Sequence, residues 1–152
     1  MIAAIAYPFA LIASALWFSA AFRYFSFQQL AAAKVLIPKT ARDSPLFLTT
    51  AALARFLGGM NAAFGLLSWV LILLWATEAP FFSDPIERGV LLVVLAAAHF
   101  SQFIFNVPIL RNGERRGESY WYVLSGPMFF IFAMDAAQTV INLIAGIAQF
   151  TV

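Results

Sequence analysis

Six polar side chains stand inside stretches otherwise fit for oil. His99, the single histidine of the chain, is followed by Gln102 and Asn106 at i+3 and i+7. Asp135 is followed by Gln138 and Asn142 at the same spacing. On a helix, each set lies along one face. A third stretch adds Arg55 and Asn61. An imidazole and a carboxyl brought together among apolar groups can give and take a proton. The chemistry open to them is acid–base work on a lipid, for example moving a double bond.

The same groups have two plainer uses. They can hydrogen-bond one helix to another as a clasp, or they can meet a partner subunit. The sequence leaves clasp, pocket and subunit contact open. Within the first two readings, the pairing it favours is Asp135 with Arg55 or with His99.

Other chemistries lack their parts. One histidine cannot ligate a haem from both sides, and with no cysteine there is no thiolate for a metal and no disulfide. Only Asp135 offers a carboxylate at depth, too few for a dicarboxylate metal site. No Gly-rich phosphate loop is present. A serine relay would draw on Ser125 or Ser101, and Ser101, two places from His99, points to another side of the helix. A net charge of +2 with no basic stripe excludes a nucleic-acid partner. No catalytic residue is assigned, and an enzyme is the lesser expectation.

The elements that position these residues follow from composition. The chain has 152 residues, 63% of them hydrophobic and 11% charged. A core of this size cannot bury that much apolar surface, so the excess must face lipid. Four runs are long enough for a bilayer, which takes about 20 apolar residues. They predict an all-α, four-helix transmembrane bundle as a single domain over 1–152. The helices fall near 2–22, 46–77, 89–110 and 120–150, with a polar or interfacial connection over 23–45. The first run lacks a preceding basic segment and is too long for a signal core, so it is expected to stay as a span.

Charge sets the expected orientation. Arg23, Lys34, Lys39 and Arg42 follow the first run, and Arg111, Arg115 and Arg116 follow the third, against Arg88 alone after the second. Basic residues collect on the cytoplasmic side, which places both termini on the non-cytoplasmic face of a bacterial-type inner membrane or its equivalent. Tyr120, Trp121 and Tyr122 are expected to open the fourth helix at the inner interface. The segment "RNGERRGES" reads as a short polar turn. On a rise of about 1.5 Å per residue, His99 lies ~16 Å from Leu110, Asp135 ~22 Å from Tyr120, and Arg55 ~13 Å from Leu46. These depths allow the three to converge.

In "ARFLGGMNAAFG", Gly58 with Ala62, and Gly59 with Ala63, are small residues four apart, and Gly65 follows. Such faces let another backbone come close, within the bundle or between copies. The stretch "LARFLGGMNAAFGLLSW" resembles the small four-helix membrane proteins grouped as DoxX-like, with Arg55 at the matching arginine. That resemblance covers mainly the second helix, and it implies an accessory role beside oxidoreductases or other membrane assemblies.

The leading expectation is therefore a small integral-membrane accessory subunit, packed against a larger complex or a copy of itself. The alternative is a protein that binds a lipid, quinone, isoprenoid or pigment, with isomerisation as its extreme form. No intrinsic cofactor is expected.

Overall fold

Local signals start the helices. Ser44 and Asp84 each precede a proline, and a proline at the first helical position loses no needed hydrogen bond. The Ser44 hydroxyl accepts from the Leu46 amide at 3.3 Å, and the Asp84 carboxylate accepts from Ile86 at 2.8 Å. Both are N-caps that satisfy otherwise orphaned amides. Pro127 stands in the first turn of the last long helix in the same way.

The computed structural model describes residues 2–116 and 121–152. The described residues form α1 (Ile2–Phe27), α2 (Gln29–Leu36), a 3-10 turn (Lys39–Ala41), α3 (Pro45–Ala76), α4 (Pro85–Ile104), α5 (Asn106–Arg116) and α6 (Gly126–Gln149), with no strand among them. Four helical stretches are long and apolar enough to cross a membrane: Ile2–Phe27, Pro45–Ala76, Pro85–Asn112 and Gly126–Gln149. That is the make-up of a multi-pass integral membrane protein.

Three sequence-based boundaries shift. The first helix runs on to Phe27, bends at Gln28 and continues as α2, whose Ala32 and Ala33 are buried against the bundle. Residues 111–116 are helical rather than a turn. Pro108 explains the break before them. Its ring clashes with the carbonyl four residues back and it has no amide to give, so α4 ends at Ile104 and the chain resumes as α5. The last helix begins at Gly126, so Trp121 and Tyr122 precede it; Tyr120 lies outside the described residues.

The four long helices alternate in direction. Gln149 donates to the Ala3 carbonyl at 2.7 Å, which brings the last turn of α6 to the first turn of α1. α1 lies against α3 and α6, and α4 lies against α6. α1 and α4 run parallel: Tyr7 meets the Arg88 guanidinium at 4.9 Å, and Phe18 stacks on His99 at 4.2 Å, with the same offset in sequence. α3 and α4, consecutive in the chain, keep their backbones apart, although Leu71 of α3 and Leu92 and Leu95 of α4 share one apolar core.

A buried polar clasp and a side cleft

His99 and Asp135 meet. Nδ1 of His99 lies 3.2 Å from Oδ1 of Asp135, and both side chains are 0% exposed. The Trp17 indole donates to the same carboxyl oxygen at 2.8 Å. On the other side of the ring, Nε2 lies 3.4 Å from the Ser14 hydroxyl, which accepts from Asn142 Nδ2 at 2.9 Å. Asn142 also donates to the Gln138 carbonyl one turn earlier. With the proton on Nδ1, His99 donates to Asp135 and its Nε2 accepts from Ser14, so each partner's role follows from its neighbour's.

The helices position this set simply. On α1, Ser14, Trp17 and Phe18 occupy i, i+3 and i+4, one face of the helix. Phe64 of α3 stacks on Phe18 at 5.3 Å, and Phe18 stacks on the imidazole. Asp135 stands nine residues into α6, about 14 Å from its start. The network ties α1, α4 and α6 together where their apolar flanks exclude water.

Serine, histidine and carboxylate stand here in the order of a hydrolase relay. The serine is Ser14, on α1, while Ser101 hydrogen-bonds its own helix through the Ala98 carbonyl at 2.7 Å. The resemblance ends with access. Ser14, His99 and Asp135 are all 0% exposed, and Asn142 already occupies the hydroxyl. An attacking oxygen needs room for a carbonyl carbon within about 3.5 Å and donors aimed at the oxyanion. Neither cavity described below is lined by any of the three.

The remaining expected site residues separate into two groups. Gln138 is buried on the clasp side of α6. Asn61, Gln102 and Asn106 instead line a cleft of about 360 Å³ between α3 and α4, at the end of the bundle where α2 and α5 lie. Asn106 accepts from the Trp121 indole at 2.8 Å and donates to the Gln102 carbonyl. Asn61 is 1% exposed, and its Nδ2 donates to the Leu57 carbonyl while Oδ1 has no donor. A second cavity of about 210 Å³, almost wholly apolar, lies between Trp17, Tyr24, Pro127 and Phe130. Gln102, Phe25 and Ile131 line both.

Arg55 joins neither group. It is exposed on the outer face of α3, where the Gln29 amide oxygen, turned toward it, accepts from Nη2 at 2.9 Å. The reason is register and face. Gly58 meets Ser26 and Gly65 meets Phe18 of α1, whereas Asp135 meets Trp17, so Arg55 lies about three helical turns from the level of Asp135 with its side chain exposed, and convergence does not occur.

The small residues divide as well. A Cβ on Gly58 would fall on the Ser26 hydroxyl and 2.8 Å from the Ser26 amide nitrogen, and one on Gly65 would touch Phe18 at 3.5 Å. These two face α1. Gly59 has nothing within 4 Å, and Ala62 is half-buried beside them.

Sequence reasoning missed Ser14 and Trp17, because a helix without charge drew no scrutiny. A serine and a tryptophan one turn apart were the signal available. No family model, curated protein or solved structure matches this chain.

Proposed function

We propose that this protein is an integral-membrane binding protein for a lipid-like molecule of the quinone or isoprenoid class, held in the α3–α4 cleft. One observation carries the reading. Toward the end of the bundle where α2 and α5 lie, α3 and α4 part, and the gap between them is apolar except for Asn61, Gln102, Asn106, Trp121 and Ser101. Binding sites are commonly built this way, with hydrophobic walls and a few placed polar groups. His99 and Asp135 serve as the clasp that holds the back wall, not as an acid–base pair. The basic residues that follow α1 and α4 set the cleft in the cytoplasmic half of a bacterial-type inner membrane or its equivalent, with both termini on the opposite side.

The natural absence of cysteine supplies the test. Ala98→Cys puts a thiol on the cleft wall, and Ala52→Cys puts one on the outer face of α3. A membrane-soluble maleimide should label the outer position freely and the cleft position slowly, until the bound lipid is stripped by detergent. Equal labelling before and after stripping would count against an occupant.

A second reading is an accessory subunit, the role that a resemblance to DoxX-like proteins implies. It draws on the outer face of α3, where Arg55, Gly59 and Ala63 lie exposed together and a partner backbone can approach. Co-purification of a larger assembly that survives mild extraction would favour it.

A further inference from the structure

We infer that the head group held in the cleft is uncharged and donates a hydrogen bond, as the hydroxyl of a quinol or of an isoprenoid alcohol does. This deepens the binding reading and rests on it.

The polarity of the walls carries the inference. Among the described residues, neither cavity is lined by a Lys, Arg, His, Asp or Glu side chain. A phosphate, carboxylate or ammonium would lose its hydration there with no opposite charge in return, which disfavours every charged head group. The head must then be neutral.

The sign of the hydrogen bond comes from Asn61. Its Nδ2 is committed to the Leu57 carbonyl one turn back, so the group left over is an acceptor. A buried carbonyl oxygen without a donor favours whatever brings one. The oxygen is set into the wall with almost no accessible surface, so a donor reaches it when the neighbouring side chains of the wall give way, with Nδ2 still held by Leu57. Gln102 stands on the opposite wall, and its amide can both give and accept. A hydroxyl between the two donates to Asn61 and accepts from Gln102. A carbonyl-only head, such as an oxidised quinone, uses Gln102 and leaves Asn61 as it is.

The body of the ligand has a place as well. Gln102 belongs to both cavities, so a head beside it leads directly to the apolar space between α1 and α6. Trp17 and Phe130 meet there edge to face, with centroids 5.5 Å apart. Such walls suit a flat ring or a branched isoprene unit.

The test uses the full-length protein in mild detergent and reads affinity by native mass spectrometry. Farnesol is compared with its methyl ether and with farnesyl phosphate, and a decyl-substituted benzoquinol with its dimethyl ether. The hydroxyl form of at least one pair should bind about tenfold more tightly than its ether, the worth of one hydrogen bond. Whichever pair shows it identifies the source. Asn61→Leu should erase that difference; if this variant does not fold, Gln102→Leu serves in its place. Ethers binding as well as alcohols, or the phosphate binding best, would overturn the inference while leaving the cleft as a site. Failure of every probe to bind would overturn the binding reading, and this inference with it.

Discussion

His99 and Asp135 lie 3.2 Å apart at the junction of α1, α4 and α6, and neither side chain has any exposed surface. Their separation in sequence is bridged by the antiparallel pairing of α4 with α6, which also stacks Phe103 on Phe132 at 4.8 Å. A contact so enclosed is built to hold helices.

Asp135→Leu should therefore destabilise the fold. It leaves the Trp17 indole and the His99 ring without their acceptor, and a buried orphaned donor costs about 1–3 kcal/mol. Asp135→Asn keeps an oxygen for Trp17 and should cost less. Reversible unfolding of both variants in mixed micelles measures the difference. Equal stability of Asp135→Leu and wild type would contradict the clasp.

Trp17 and Asp135 should be energetically coupled. A double-mutant cycle with Trp17→Phe and Asp135→Asn should return an interaction of about 0.6–1.7 kcal/mol, the range measured for hydrogen bonds between membrane helices. Additive effects would mean that the indole donates elsewhere.

Ser14 should be inert. Despite its place beside His99, a fluorophosphonate probe applied to the folded protein should not label it, because the hydroxyl is fully buried and bound to Asn142. Stoichiometric labelling at Ser14 would reopen the hydrolase reading. Ser14→Ala should cost stability only, about 1 kcal/mol.

The two adjacent glycines of α3 should respond oppositely to alanine. Gly58→Ala places a methyl against the backbone of Ser26, which cannot swing aside as a side-chain tip can, so α1 and α3 must move apart. Gly59→Ala meets nothing, and it should be neutral or gain up to about 1 kcal/mol from helix propensity. Thermal melts of the two variants in detergent distinguish them. Loss of stability in Gly59→Ala would show that the outer face of α3 is covered by a partner.

Much of this architecture is legible in the residues. Apolar runs of bilayer length mark the four spans, and the i, i+3, i+7 spacing after His99 and after Asp135 marks two inward faces. What escaped depends on relations between helices. Asn106 belongs to the stripe of His99 by spacing, yet Pro108 breaks α4 between them and Asn106 turns to Trp121 instead. Arg55 matches Asp135 by counted depth, but the pairing of α3 with α1 sets it about three turns from that carboxyl, and its side chain is exposed. The cleft has no signal in any single run, because it is the parting of α3 and α4 at one end of the bundle.

The most direct test of the account weighs what the protein carries out of its native membrane. Native mass spectrometry of wild type after gentle extraction should show one added mass of lipid-like size, identifiable after organic extraction. Gln102→Leu, which changes both cavities while leaving the clasp untouched, should lose that mass and keep its fold. Wild type free of any adduct, or an adduct retained equally by Gln102→Leu, would contradict a ligand held in this cleft.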